Sequence, residues 1–445
     1  MAQFFKPLKT KRIDAKHKAI NIIRLDHLGA GIGLLDKKTV FIDGVLPEER
    51  ALVQLTENKK NYAKAKLIKL LTPSSERVDP FCRHYQECGG CNLQHLSLAG
   101  QIKAKQSALD ELMSKFSGQE LDKQEKAQQP PILSADHAYR RRARLSLQFD
   151  RPSNALLMGF RKRQSKSIVD VRECPVLTQP LESLLGELHC VLNGLSARRD
   201  LGHVELVEAS TGRVCLLRHL KPLSVNDLEQ LTAFAKQHQL TLFLSPDSNV
   251  VDRVYGEAPY YEIDGVEIAF TPQDFIQVNR QVNEDMVQQA ISWLDLQSSD
   301  RVLDLFCGLG NFSLPLAKRV NHVVGVEGVE EMVRCAQINA ESNGLSNVSF
   351  HHANLELDIT KQAWAKNTFS KIVLDPARAG APGVMEYVAK LQAHSIVYVS
   401  CNPATLARDS QVLLQSGYRL QKLGILDMFP HTGHLESMAL FQKNK

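Results

Sequence analysis

The sequence predicts an α/β protein whose C-terminal part is a doubly wound parallel sheet, preceded by a small β-barrel and a mixed α+β region. From about residue 281, short apolar strands alternate with helical patterns, and a glycine-rich turn follows the first of these strands. Five β-like runs separated by glycines predict the barrel. The 445 residues are enough for two or three domains with full cores. From the pattern along the chain we expect domains at 12–72, 73–270 and 271–445.

The positive charge of the chain is concentrated at its N-terminal end. Residues 1–72 hold 15 Lys and Arg against 7 Asp and Glu, a balance of +8, whereas the whole chain carries +5. A basic module on a near-neutral body favours a polyanion partner, and nucleic acid first. A solvated lysine-rich surface is the alternative. Five lysines are predicted to line the last hairpin of the barrel: Lys59, Lys60, Lys64, Lys66 and Lys69.

Three features of the composition bear on where the protein acts. The chain contains no run of 18 apolar residues, so we expect no transmembrane helix. Its first residues lack the apolar core of a signal peptide. Nine cysteines, an odd number, do not form the pattern of a secreted disulfide framework. We therefore expect a cytoplasmic protein.

The predicted elements follow from short apolar runs and helical periodicity. The barrel strands are expected at 20–25, 31–35, 39–42, 51–55 and 63–71. In the central region we expect strands at 144–149, 167–171, 204–208 and 213–217, helices at 181–195 and 225–237, and a polar surface loop at 118–131. The C-terminal region predicts strands at 302–306, 323–327, 348–352, 372–375 and 396–400, then 420–427 and 436–442, with helices near 314–319, 330–342, 382–391 and 405–414.

The glycine-rich turn indicates a nucleotide-type cofactor site. Gly308 and Gly310 allow a sharp turn and a close approach of the backbone to a ligand, and the following helix directs its N-terminus there. Glu327, 17 residues beyond Gly310, is placed to accept two ribose hydroxyls. A nicotinamide dinucleotide and S-adenosylmethionine compete for this site. The run from Asp304 to Phe312 and the Asp375-Pro-Ala-Arg sequence resemble methyltransferase motifs, which favours S-adenosylmethionine.

Cys401 is the strongest candidate for a nucleophile. It stands at the end of a β-branched run and directly before Asn402-Pro403 and a predicted helix, whose N-terminus favours a thiolate. A thiolate beside a methyl donor fits methylation of uracil at C5, because attack on C6 turns C5 into an enolate carbon. A base must then remove the C5 proton. Glu436 is the best candidate, and His431 and His434 are alternatives.

A cysteine cluster lies between the barrel and the central region. Cys88 and Cys91 form a C-x-x-C, Cys82 precedes them by six positions, and Cys174 stands before a proline. A proline after a cluster cysteine is a feature of iron–sulfur sites, which favours such a cluster over zinc. Zinc with four thiolates stays an alternative, and so does a mixed site that includes a histidine. The nearby basic stretches 140–144 and 161–163 are candidates for phosphate contacts, and solvated strand faces are the equal alternative.

Taken together, these motifs identify a family resemblance along essentially the whole chain. Residues 12–72 resemble a TRAM domain, an OB-like RNA-binding barrel. The spacing of the four cysteines, the segments 275–279, 303–313, 375–378 and 400–403, and His434-Leu-Glu436 resemble the RNA 5-methyluridine methyltransferases. The resemblance implies a Rossmann-like methyltransferase domain at 271–445 and a central α+β domain that carries an iron–sulfur cluster.

The resemblance also implies a role for individual residues. Cys401 matches the nucleophile that attacks C6, and Glu436 matches the base. The four cysteines Cys82, Cys88, Cys91 and Cys174 match ligands of a [4Fe-4S] cluster. The positions that match the S-adenosylmethionine site are Gln277, Phe306, Asn311, Glu327, Asn354 and Asp375. The implied substrate is one uracil of 23S ribosomal RNA, flipped into the pocket, and we expect a monomer.

Other functions are compatible with parts of this pattern. A second ribosomal relative has the cluster but lacks the barrel, and the transfer-RNA relative lacks both, so the presence of residues 12–72 argues against them. A non-catalytic iron–sulfur RNA-binding protein would need the barrel and the cluster but would give Cys401 no task. A nicotinamide oxidoreductase would use the cluster for electron transfer.

Overall fold

The computed structural model describes residues 16–117, 127–247 and 250–443. Residues 12–15 of the expected barrel domain, most of the expected loop at 118–131 and the chain start therefore lie outside the described residues. The chain divides into two compact units. Among the described residues, one unit comprises 16–80 with 92–108 and 431–433, and the other comprises 81–91, 109–117, 127–247, 250–430 and 434–443. Within the described ranges, no helix has the length and apolar character needed to cross a membrane.

Five strands of the first unit close into a barrel in the order β1-β2-β3-β5-β4. Their pairing is antiparallel except between β3 and β5. Alternate apolar side chains such as Ile20, Ile22 and Val40 fill the interior. Gly33 permits close packing of two strands, since a Cβ there would lie 2.3 Å from Ile20 Cγ2. The predicted strands are confirmed as β1 Lys18–Leu25, β2 Gly31–Leu35, β3 Lys38–Ile42, β4 Arg50–Asn58 and β5 Tyr62–Thr72.

A seven-stranded sheet forms the central region of the second unit, in the order β12-β11-β10-β9-β6-β7-β8. A long helix, α1 Leu98–Ser117, precedes this region in the chain. The strands are β6 Arg142–Asp150, β7 Ala155–Arg161, β8 Ile168–Asp170, β9 Leu201–Ala209, β10 Gly212–His219, β11 Leu240–Ser245 and β12 Asp252–Tyr255. The helix expected at 225–237 is confirmed as α4 Val225–Gln237.

The single helix expected at 181–195 is wrong, because the chain forms two helices, α2 Gln179–Glu182 and α3 Leu185–Gly194. The Leu184 amide donates to Leu181 O, three residues back, at 3.2 Å. This tighter turn interrupts the four-residue ladder that a continuous helix requires.

The C-terminal sheet is parallel through its first five strands and has the order β17-β16-β15-β18-β19-β21-β20. β21 runs antiparallel to both of its neighbours, since a short link joins it to β20. The predicted strands are confirmed as β15 Arg301–Leu305, β16 His322–Glu327, β17 Val348–His352, β18 Lys371–Leu374, β19 Ser395–Ser400, β20 Tyr418–Leu426 and β21 Glu436–Lys443. The helices are α6 Ser313–Ala317, α7 Glu330–Ser342, α8 Val384–Lys390 and α9 Pro403–Gln415.

A hairpin and a helix not expected from the sequence connect the two sheets. They are β13 Tyr260–Ile263 with β14 Val266–Ala269, and α5 Arg280–Leu294. Met286 and Trp293 of α5 belong to one apolar cluster that also contains Val207 and Leu216 of the central sheet and Val302 of β15. This shared core holds the loop at 271–279 against the ends of the C-terminal strands.

Candidate active site

A cavity of about 420 Å³ lies at the carboxyl ends of the C-terminal strands, where open α/β sheets bind ligands. We call it the sheet-edge cavity. The structure brings together seven of the predicted site residues in its lining: Gln277, Phe306, Asn311, Glu327, Asp375, Cys401 and Glu436. The volume falls within the usual range for small-molecule sites.

The turn after β15 is held by backbone contacts with β16. The amides of Phe306 and Cys307 donate to Val326 O at 2.9 and 3.2 Å. Phe306, Gly308 and Gly310 all have positive φ, at 64°, 54° and 98°. At Gly310 a Cβ would lie 2.8 Å from Leu314 Cγ, so a side chain here would be both strained and crowded. The turn therefore places its backbone on the wall of the sheet-edge cavity.

Glu327 ties this turn to the end of β16. Its Oε2 accepts from the Gly308 amide at 3.2 Å, and its Oε1 accepts from the amides of Gly328 and Val329 at 2.7 and 3.1 Å. Three backbone donors hold the carboxylate in one orientation beside the cavity. Oε2 has a single donor and keeps capacity for a further one, such as a ribose hydroxyl.

Asn311 is held by an amide network that the sequence analysis missed. Its Oδ1 accepts from Asn283 Nδ2 at 3.0 Å and from the Tyr261 hydroxyl at 3.1 Å, and its Nδ2 donates to Asn283 Oδ1 at 3.0 Å. These partners come from α5 and β13, far from Asn311 in the chain, so no local pattern pointed to them. The network fixes the residue that follows the glycine turn.

Two buried carboxyl groups lie near the glycine turn: Asp375, which lines the cavity, and Asp304, which lies outside the lining. Burial raises the pKa of Asp375 to about 7. Burial, with a smaller contribution from Asp375, also raises the pKa of Asp304 to about 7, although a 2.5 Å hydrogen bond from Ser313 Oγ to its Oδ2 favours ionisation. Both groups therefore lie near their titration points at neutral pH, and a cationic ligand would favour their charged forms.

Cys401 lies between β19 and α9, as the sequence predicts. Asn402 caps α9, with its side chain accepting from the Ala404 amide at 3.1 Å. The thiolate preference predicted from this helix is wrong for the protein alone, because burial, Glu436 and Asp375 together raise the pKa of Cys401 to about 11, against the opposing effect of Arg378. The helix N-terminus is too weak to offset burial beside two carboxylates.

Glu436 begins β21 and is 7% exposed in the lining of the cavity. It interacts electrostatically with the Cys401 thiol. Of the two alternative bases, His434 also lines the cavity, whereas His431 is absent from its lining and has Nδ1 3.3 Å from Gln101 Nε2. The geometry therefore brings a thiol and a carboxylate to one cavity.

Asn354 is the one predicted cofactor residue that the structure does not place in the lining. It is exposed after β17, and its Oδ1 accepts from the Glu356 amide at 2.9 Å. Conversely, the lining includes Arg378 and Phe275, which the quoted motifs contained without a role, and Tyr261, which no motif contained. Phe275 is 68% exposed and presents an apolar ring in the lining of the cavity.

The four predicted cluster cysteines lie near one another and are not joined in disulfides. Burial and then the charges of Cys91, Cys82 and Cys88 raise the pKa of Cys174 to about 12. Their loop is anchored by Arg163, which donates to the carbonyls of Cys88 and Cys91 at 3.1 and 2.8 Å. Over the described ranges, no three His, Cys, Asp or Glu side chains form a group that would hold a metal ion.

The basic stretches expected to contact phosphates are largely engaged within the protein. Besides Arg163, Lys162 Nζ donates to Glu87 Oε2 at 2.5 Å. Arg142 Nη2 donates to Glu205 Oε2 at 3.0 Å and to Pro272 O at 2.6 Å. Arg142, Lys162 and Arg163 therefore hold loops in place. For the other residues of the two stretches, phosphate contact stays a prediction.

The protein was compared with known families and structures. Residues 97–444 match the model of the tRNA (Uracil-5-)-methyltransferase family, and residues 18–68 match that of the TRAM domain. The chain belongs to the tRNA (uracil-5-)-methyltransferase family. The resemblance found in the sequence is therefore confirmed, and so are the barrel and the methyltransferase fold.

Individual relatives cover the whole chain. It is 57% identical over 443 residues to the 23S rRNA (uracil(1939)-C(5))-methyltransferase RlmD of Aliivibrio fischeri and 58% identical to that of Aliivibrio salmonicida, with 100% of both chains covered in each case. Among solved structures, the tRNA (uracil-54, C5)-methyltransferase of Pyrococcus abyssi in complex with S-adenosyl-L-homocysteine matches with a TM-score of 0.74. That match has 25% identity and covers 95% of this chain and 99% of the other.

The electrostatics of Cys401 predict slow, pH-dependent alkylation. We expect the rate of its reaction with iodoacetamide to rise with pH up to about pH 11, because only the thiolate reacts and its pKa is about 11. Glu436→Gln removes a neighbouring negative charge and is expected to raise the rate at pH 8 by about tenfold, equivalent to one pKa unit. Mass spectrometry of the Cys401 peptide measures the rate.

The exposed Cys190 serves as the internal control for this experiment. Its rate is expected to be the same in both proteins. The assigned electrostatics would be contradicted if the alkylation rate of Cys401 levelled off below about pH 9, or if it were unchanged in Glu436→Gln.

Proposed function

We propose that the protein transfers a methyl group from S-adenosylmethionine to C5 of a uracil in 23S ribosomal RNA. The observation that carries the proposal is the joint presence of Cys401, Glu436 and the glycine turn in the lining of one cavity. The substrate assignment is supported by relatives of 55–58% identity that are named 23S rRNA (uracil(1939)-C(5))-methyltransferases. The transfer-RNA enzyme of Pyrococcus abyssi is only 25% identical, which makes transfer RNA the weaker substrate.

In the proposed reaction, Cys401 acts as nucleophile. Its thiolate forms a bond to C6 of the uracil, and the electron pair of the C5–C6 double bond moves to C5 and the C4 carbonyl. S-adenosylmethionine supplies a methyl group on a positively charged sulfur, and C5 displaces S-adenosylhomocysteine as it takes that methyl. The pKa of about 11 implies that Cys401 ionises mainly once a cation occupies the site, because the neighbouring carboxylates then repel the thiolate less.

Glu436 is the proposed base that completes the reaction. Its carboxylate removes the proton from methylated C5, the double bond re-forms, and the bond from C6 to the Cys401 sulfur breaks. A carboxylate at 7% exposure in the cavity lining is within reach of such a ring and is shielded from bulk water. His434 also lines the cavity and is the alternative.

The methyl donor is proposed to be held by the residues around the glycine turn. Glu327 would accept from its ribose hydroxyls, and Asp375 would carry a negative charge near its sulfonium. The full proposed set is Gln277, Phe306, Asn311, Glu327, Asn354 and Asp375. Asn354 would have to reach the ligand from outside the present lining.

We also propose that Cys82, Cys88, Cys91 and Cys174 hold a [4Fe-4S] cluster. The donor set is four thiols that influence one another's ionisation, which fits a thiolate-bound cluster. The proline that follows Cys174 is typical of iron–sulfur ligation and favours this cluster over zinc. When bound, the cluster would supply cross-linking of the cysteine loop to the Cys174 segment, and methyl transfer needs no electron from it.

The proposal extends to RNA binding by the barrel, to the domain bounds, and to the oligomeric state and location of the protein. The TRAM barrel would bind RNA through its basic surface, where Lys64 and Lys66 are exposed on β5. We propose domains at 12–72, 73–270 and 271–445, a monomer, and a cytoplasmic location with the ribosomal RNA.

Cys401→Ala is expected to lower methyl transfer to 23S ribosomal RNA by about 10⁴-fold or more, because no other group can add to C6. Binding of S-adenosylmethionine, measured by calorimetry, is expected to persist. Cys190→Ala is the matched control and should keep full activity. Turnover of labelled methyl groups by Cys401→Ala at the wild-type rate would reject the nucleophile.

Glu436→Gln is expected to accumulate a covalent protein–RNA adduct, because the methylated ring cannot lose its C5 proton and release Cys401. A denaturing gel with labelled RNA measures the shifted band. The double variant Cys401→Ala with Glu436→Gln is the control and should give no band. Absence of the band from the single variant would show that Glu436 is not the base.

Protein purified without oxygen is expected to contain about four iron and four sulfide per chain. Cys174→Ser should lose most of both, whereas Cys190→Ser should keep them. Chemical analysis of iron and sulfide measures the content. Stoichiometric zinc in place of iron would contradict the proposed cluster.

A further inference from the structure

A second cavity of about 350 Å³ opens on the surface of the same unit, and we call it the side cavity. Its lining includes Arg141, Thr178, Glu208, Asn279 and Arg280. Two further lining residues, at positions 210 and 281, are exposed, so the cavity is open to solvent. None of these residues has a role in the reaction proposed above.

Arg141 is a buried cation with unused hydrogen-bonding capacity. It is 3% exposed, its Nε donates to Gln277 O at 2.8 Å, and its guanidinium lies 4.9 Å from the centre of the Tyr261 ring. Its Nη2 has no partner among the described residues, and neither has the hydroxyl of Thr178. A buried donor that lacks an acceptor is costly, so both groups favour an acceptor ligand.

The N-terminus of α5 adds donors to the same cavity. Asn279 caps the helix, its Oδ1 accepting from the Val282 amide at 3.3 Å and its Nδ2 donating to Ser134 Oγ at 2.6 Å. The first two amides, of Arg280 and Gln281, have no partner within their own helix. A 15-residue helix carries partial positive charge at this end, which favours an anion.

Two carboxylates limit how much anionic charge the side cavity accepts. Glu208 is in the lining, and Glu284 pairs with Arg280 Nε at 2.8 Å. The lining itself holds two arginines and one glutamate, a net charge of about +1, and Glu284 outside the lining already pairs with Arg280. This balance suits a singly charged phosphodiester better than a more highly charged group.

The linings of the side cavity and the sheet-edge cavity contain residues that are neighbours in sequence. Gln277 lines the sheet-edge cavity and Asn279 lines the side cavity. Two residues of extended chain span at most about 7 Å. The two linings therefore share one short stretch of chain.

We propose that the side cavity binds one phosphodiester group of the RNA strand whose target base enters the sheet-edge cavity. The inference rests on the proposed function, since it takes RNA as the substrate. Arg141 would contact the phosphate through Nη2 while it holds the Gln277 carbonyl through Nε. Phosphate binding would thereby fix a residue of the sheet-edge cavity.

The test measures the affinity of full-length protein for deproteinised 23S ribosomal RNA as a function of KCl. Loss of one phosphate contact reduces the slope of log K against log salt by about 1. We expect Arg141→Gln to show this reduced slope and Arg141→Lys to show the wild-type slope. Thr178→Val should weaken binding by about fivefold through one lost hydrogen bond. Glu208→Gln should strengthen it by about threefold, because it removes a repelling charge.

Two further measurements keep the result interpretable. Thr232→Val, on the partly exposed face of α4 and outside both cavities, is the matched control and should leave affinity unchanged. Methyl transfer at saturating RNA is expected to stay near wild type in Thr178→Val and Glu208→Gln, with the change confined to KM. Thermal melting identifies variants that fail to fold.

The outcomes separate this inference from the proposed function. If wild-type protein methylates the RNA but folded Thr178→Val and Glu208→Gln both bind it like wild type, the phosphate assignment is overturned and the function stands. If these variants change calorimetric binding of inorganic phosphate alone and not of RNA, the assignment to an RNA strand is likewise overturned. A wild-type protein that binds RNA with the expected variant effects but does not methylate it would overturn only the function.

Discussion

Burial of negative charge at the carboxyl edge of the parallel sheet is the constraint on which the site depends. Asp304 lies near the end of β15 and Asp375 follows the adjacent β18, and burial raises the pKa of each to about 7. Glu327 is held by three backbone amides, and Glu436 is almost fully buried nearby. At Cys401 the charges of Glu436 and Asp375 outweigh that of Arg378, which lines the same cavity. A sulfonium ligand has the charge that would relieve the repulsion, which accords with methyl transfer as the family's reaction.

The same constraint explains the behaviour of the thiol. Cys401 stands at a helix N-terminus, which would ordinarily lower its pKa, yet burial beside Glu436 and Asp375 raises it to about 11. The thiol is thus largely protonated, and protected from alkylation and oxidation, in the absence of a cationic ligand. A cation in the cavity would favour ionisation of this thiol.

A series of polar contacts connects the central sheet to residues that line the sheet-edge cavity. Arg141, just before β6, holds the Gln277 carbonyl and lies over the Tyr261 ring. Tyr261 in turn donates to Asn311, which forms a reciprocal amide pair with Asn283. Because the two sheets share one apolar core, these polar contacts are held at fixed separation. The central region therefore supports the cofactor turn directly.

Local sequence determined the barrel, the five parallel strands, the glycine turn and the place of Cys401 before a capped helix, because periodicity and capping act over a few residues. Two further elements had local signals that were overlooked: the Asp264-Gly265 turn between β13 and β14, and the Asn279 cap of α5. Only the tertiary structure decided which distant groups meet. It set the partners of Asn311, brought Glu436 beside Cys401, and raised the pKa of that thiol, since burial and through-space charge are not encoded at any single position in the chain.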